Sequence, residues 1–90
     1  MERRRHPHLR TLKAGRILLN HHHSVIDCTV RSLSTLGACL QVASTIGIPE
    51  RFDLVFDADH VIRTCRIVWH RENRLGVEFG PEVGHLAASA

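Results

Sequence analysis

The side chains best suited to chemistry crowd the N-terminus. In MERRRHPHLRTLKAGR, Arg3, Arg4, Arg5, Arg10, Lys13 and Arg16 face a single acid, Glu2, for a net charge of +5, while the rest of the chain carries −2. Eleven of the twelve cations are arginine. Arginine presents a planar fork of donors that grips a phosphate or the O6/N7 edge of guanine with two parallel hydrogen bonds, which lysine cannot do. The first sixteen residues therefore read as a flexible basic arm that closes over an anion.

The second stretch with chemical interest is SLSTLG, Ser32 to Gly37. Its hydroxyls suit a tight connection between two strands, and Gly37 is expected to take positive φ. Spacing alone describes a hairpin whose serines bond their own backbone. Of the eight histidines, His21, His22 and His23 are consecutive. In an extended segment only His21 and His23 share a face, so the run reads as a polar hairpin turn rather than a metal site. Asp57-Ala58-Asp59-His60 joins two carboxylates to an imidazole, but with no nucleophile, metal ligand or pocket-forming motif nearby it reads as another turn. The chain has no phosphate-binding loop, dinucleotide fingerprint or nucleophile elbow, so no enzymatic activity and no cofactor or metal is expected.

These residues must be positioned by strands. SVIDCTVR at 24–31 alternates Ile26, Cys28 and Val30 with Asp27, Thr29 and Arg31. ACLQVA repeats the pattern with Ala38, Leu40 and Val42, and RFDLVFD with Phe52, Leu54 and Phe56. In VIRTCRIVWH, Cys65, Ile67 and Trp69 share a face, which assigns Trp69 to the core rather than to a stacking platform. RLGVEF alternates Leu75, Val77 and Phe79 with Gly76 and Glu78. With RILL at 16–19, six short strands at roughly ten-residue spacing predict an all-β, antiparallel barrel or sandwich. PEVGHLAASA contains Pro81 and Gly84, so little or no C-terminal helix is expected. The expected division is a basic arm over 1–16, a barrel over 17–80 and a short tail over 81–90.

Ninety residues make one domain. No apolar run approaches the roughly 20 residues that span a bilayer, and no apolar segment follows the N-terminal charges as in a signal peptide, so a cytoplasmic location is expected. Cys28, Cys39 and Cys65 have no CxxC spacing and are expected to be reduced thiols. Cys28 and Cys39 fall on opposite faces of neighbouring strands, which argues against a disulfide between them.

Three segments together, ERRRHPHLR, VRSLSTLGACLQV and CRIVWHRENRLGVEF, with their separations, resemble the PilZ family of bacterial domains over nearly the whole chain, from about Arg3 to Phe79. The resemblance implies a six-stranded β-barrel that binds the second messenger cyclic di-GMP. In that family an Arg-x-x-x-Arg arm wraps phosphates and guanine edges, and an Asp/Asn-x-Ser-x-x-Gly turn holds a guanine from the other side. Here no two arginines stand four apart. The nearest matches are Arg4-x-x-x-His8, or Arg5 shifted to pair with Arg10. In the turn only Ser34 and Gly37 match, and Ser32 occupies the acidic or amide position. A neutral histidine carries no charge, and a serine hydroxyl cannot accept two guanine donors as a carboxylate does. Each change removes a bond worth about 1.5–3 kcal/mol.

The resemblance thus implies Arg4, Arg5, His8 and Arg10 toward phosphate and guanine, with Ser32, Ser34 and Gly37 on the guanine side. The expected role is a cyclic di-GMP receptor that signals through an unidentified partner protein. The alternative is a degenerate PilZ-like domain that binds no cyclic di-GMP and serves as a protein-interaction module. Nucleic-acid binding draws on the same arm, but the acidic body and an aromatic content of 4% argue against it.

Overall fold

The computed structural model of the chain describes residues 9–85, with side chains to Gly80. Six strands follow in order: β1 (Leu9–Leu19), β2 (Ser24–Leu33), β3 (Gly37–Gln41), β4 (Arg51–Phe56), β5 (Val61–Arg71) and β6 (Arg74–His85). They close into an antiparallel barrel in the order β1-β2-β3-β6-β5-β4, with β4 pairing back onto β1. The all-β barrel expected from the sequence is the fold.

Alternation builds the interior. Ile17 stands opposite Ile26 on one side and Leu54 on the other, Leu40 opposite Val30 and Leu75, and Phe52 opposite Cys65. Ile17, Val30, Leu40, Leu54, Cys65, Leu75 and Val77 are buried in one cluster with Phe52 and Phe56. A second, smaller cluster of Leu18, Val55 and Ile62 buries on the opposite parity of β1, β4 and β5.

The turns are the ones their residues demand. His21–His23 sit in the β1–β2 connection, where Asn20, His21 and His22 take φ of 50°, 57° and 71°. Left-handed backbone costs a side-chain-bearing residue of order 1 kcal/mol. It is offset here by His22 Nε2 against Asp53 Oδ2 at 2.7 Å and by the Asn20 amide donating to Ser24 Oγ at 3.1 Å. In the β4–β5 turn, Asp59 accepts from the Val61 N–H at 2.9 Å and pairs with Arg63 at 2.9 Å. The Arg63 hydrogen bonds hold the Asp59 carboxyl below the usual carboxylate range. Arg63 also lies 4.2 Å from the centre of the Phe56 ring.

Two boundaries differ from expectation. The barrel begins at Leu9, not at residue 17, so Arg10, Lys13 and Arg16 belong to β1. The pairing with β2 slips between Arg10 and Lys13, and this bulge breaks the period of two that would have marked the strand. At the other end β6 continues through residues 81–85, past Pro81. There it pairs with β5 alone, because its ladder to β3 ends at Glu78, and an edge tolerates a residue without an N–H.

Candidate functional site

One row of residues crosses five strands on the outside of the barrel. Arg10 of β1 stands opposite Ser32 of β2, Ser32 opposite Cys39 of β3, Cys39 opposite Gly76 of β6, and Gly76 opposite Trp69 of β5. Each link is a register pair, so the backbone ladder itself fixes the order. Two adjoining depressions lie along this row. One, of about 640 Å³, is lined by Arg10, Thr11, Leu12, Arg31, Ser32, Cys39 and Arg74. The other, of about 560 Å³, includes Ser34, Gly37, Trp69 and Glu78 in its wall and shares Ser32, Cys39 and Arg74 with the first.

Bulges shape this groove. The β2–β3 register slips between Val30 and Ser32, so Arg31 and Ser32, neighbours in sequence, both line the first depression. The β5–β6 register slips between Ile67 and Trp69, so Val68 and Trp69 both line the second. Regular alternation would send one member of each pair inward. With the slip between Arg10 and Lys13 on β1, three bulges gather at one end of the barrel and turn side chains outward, a recurrent use of bulges at binding sites.

Trp69 therefore is not a core residue. It is 48% exposed, because the bulge at Val68 shifts its parity by one from that of Cys65 and Ile67. Its indole lies on Gly76, where a Cβ would collide with Nε1 and Cε2 of the ring. The arrangement leaves an aromatic face at the wall of the groove. A glycine in a strand signals close approach of this kind, so Gly76 is the sequence cue that could have found it, but the unbroken alternation assigned Trp69 to the core instead.

The SLSTLG turn forms as a hairpin, with Ser34 at its centre. The Ser34 N–H donates to the Gly37 carbonyl at 2.9 Å. Ser34 Oγ accepts from the Leu36 and Gly37 N–H groups at 3.1 and 3.3 Å and donates to the Gly37 carbonyl at 3.4 Å. Its hydroxyl is committed to the turn, which the Phe79 N–H anchors to β6 by donating to the Leu36 carbonyl at 2.8 Å. Gly37 is not in the left-handed region as expected; among the described glycines that conformation belongs to Gly47, at φ 87°. Glycine is required at 37 by close approach instead, since a Cβ there would run into the Val77 carbonyl oxygen.

Of the residues singled out in the sequence, Arg10, Ser32, Ser34 and Gly37 come together in the groove. Arg4, Arg5 and His8 lie outside the described residues. Two further cations, Arg31 and Arg74, were missed. Among the described residues Arg10, Arg31 and Arg74 form no ion pair, whereas Arg16, Arg63 and Arg66 are paired with Asp57, Asp59 and Glu78. Unpaired guanidinium groups around a concave surface make it attractive to a polyanion.

The thiols divide the same way. Burial pushes the Cys28 and Cys65 thiols up to about 12, whereas Cys39 is half-buried in the groove wall, and all three are free.

No curated protein matches the chain. The PilZ domain matches it over residues 2–87, and with the closed six-stranded barrel this places the chain in the PilZ family.

Proposed function

We propose that the protein is a cytoplasmic cyclic di-GMP receptor that acts through a partner protein, and that the ligand docks along the Arg10–Ser32–Cys39–Gly76–Trp69 row. The observation that carries this reading is the pairing, in one groove, of an exposed aromatic face with three arginines that have no ion-pair partner among the described residues. Those are the two chemistries a cyclic dinucleotide needs. Arg10, Arg31 and Arg74 meet the phosphodiesters and a guanine O6/N7 edge, and Trp69 stacks a base. Arg31 and Arg74 supply from the barrel wall charge that the arm, with its single Arg4–His8 spacing, lacks. Ser34 and Gly37 shape the turn beside the base, and Ser32 offers a hydroxyl. The remaining arm residues Arg4, Arg5 and His8 close over the ligand. The role is binding and relay, with no chemical step.

The alternative reading, a PilZ domain without ligand that serves only to bind protein, is favoured by one observation. Leu12 is exposed in the wall of one depression, and Leu36 and Val68 in the wall of the other, apolar surface suited to a protein contact. Calorimetric titration with cyclic di-GMP separates the two. The receptor reading expects saturable binding that is lost when Arg10, Arg31 and Arg74 are all replaced by alanine. Absence of heat at millimolar ligand leaves the protein-binding reading.

A further inference from the structure

The turn position at which the PilZ resemblance places a carboxylate or amide holds a hydroxyl, Ser32. The groove nevertheless contains a carboxylate. Glu78 of β6 stands directly opposite Gly37 at the end of the turn, on the outward parity it shares with Gly76. It lines the same depression as Ser34, Gly37 and Trp69. Its Oε1 accepts from Arg66 Nη2 at 2.6 Å, and Arg66 is its register partner on β5. Oε2 has no partner among the described residues.

A carboxylate in a groove that collects phosphodiesters works against the ligand's charge unless the ligand brings donors to it. Guanine brings two, N1–H and N2–H, side by side on its Watson–Crick edge. A carboxylate offers about four acceptor positions on two oxygens, and Arg66 occupies one of them while fixing the group and offsetting its charge. Adenine presents an acceptor at N1 to the same place and would leave the carboxylate facing a lone pair. We propose that Glu78, rather than a residue of the SLSTLG turn, reads the Watson–Crick edge of the guanine stacked on Trp69 and so sets the base specificity of the groove. The assignment rests on the receptor reading above.

Calorimetry with three ligands tests it: cyclic di-GMP, cyclic di-IMP, which keeps N1–H but lacks the 2-amino group, and cyclic di-AMP. The wild-type chain is expected to prefer cyclic di-GMP over cyclic di-IMP by about tenfold, the worth of one charge-assisted hydrogen bond. Glu78→Ala is expected to weaken cyclic di-GMP by at least that factor and to bring the ratio between the two ligands close to one. Glu78→Gln, which keeps the volume, lowers the ratio in the same direction. Arg66→Ala breaks the ion pair but retains the preference. If Glu78→Ala and Glu78→Gln melt like the wild type and keep the preference for guanine, or lose all three ligands equally, Glu78 is only a tie between β5 and β6. A wild-type chain that binds none of the three at millimolar concentration overturns the receptor reading, and this assignment with it.

Discussion

The Trp69 indole occupies the space that a side chain at Gly76 would need. That relationship fixes where the one tryptophan of the chain sits, and it works in two steps. The bulge at Val68 turns Trp69 outward, and the missing Cβ at 76 lets the ring settle against β6 with one face open. Trp69→Ala is expected to weaken cyclic di-GMP by about 1–3 kcal/mol, the range for loss of one stacked base, with little change in melting temperature. Gly76→Ala is expected to lift the indole off the sheet and to weaken binding likewise. Since the chain has one tryptophan, its fluorescence reports both the displacement and the titration.

Arg10, Arg31 and Arg74, which form no ion pair among the described residues, are expected to act on affinity and on its salt dependence together. Each of Arg10→Ala, Arg31→Ala and Arg74→Ala should cost about 1.5–3 kcal/mol of binding where the guanidinium meets a phosphate or a guanine edge, and should flatten the dependence of Kd on salt. Arg63→Ala is the control, because that side chain pairs with Asp59 in the β4–β5 turn and lines neither depression of the groove. Titrations at several salt concentrations distinguish the two groups.

Gly37→Ala tests the hairpin itself. The new methyl meets backbone, the Val77 carbonyl, rather than a side chain that can swing aside. Overpacking of this kind costs about 1–3 kcal/mol, so denaturant midpoints should fall clearly below the wild type. Gly47, with nothing within 4 Å, offers the contrast. Alanine there meets no clash and pays only for its φ of 87°.

The thiols should be told apart by alkylation of the native protein. Cys39 is expected to react, and Cys28 and Cys65 to stay protected until the barrel unfolds. Since Cys39 lies between Ser32 and Gly76 in the row, saturating cyclic di-GMP should slow its modification.

The same buried thiols impose a pH dependence. Burial, reinforced by Asp27 and Asp57 near Cys28 and by Asp53 near Cys65, raises both thiols from 9.0 to about 12. A raised folded value favours the neutral form, so their contribution to stability is complete below about 9 and is lost as pH climbs from there toward about 12. Denaturant unfolding at increasing pH should show stability falling above 9. Replacing Cys28 with alanine should lower the stability at pH 7 and make the alkaline fall shallower.

The sequence made the barrel legible wherever alternation was unbroken. Ile26, Cys28 and Val30, then Ala38, Leu40 and Val42, then Phe52, Leu54 and Phe56 all lie on the parity their spacing implies. What it concealed sits at the bulges. One extra residue at Val68 reversed the parity of Trp69, the slip between Arg10 and Lys13 hid the start of β1, and the slip at Arg31 put that arginine in the same depression as Ser32. Bulges leave no periodic signature, and three of them border the groove, so the candidate site was harder to read than the core. The role of Gly37 was legible as a need for glycine but not as to its cause, because close approach to Val77 depends on a strand 40 residues away.

The most direct test of the account is a titration of the isotope-labelled chain with cyclic di-GMP, followed through the Trp69 indole N–H and the amides of Arg10, Ser32, Cys39 and Gly76. The account expects these five signals to move together and to saturate at one common Kd in the micromolar range or below, while the amides of the β4–β5 turn around Asp59 stay still. Signals that do not shift at millimolar ligand, or shifts confined to residues away from the row, would contradict it.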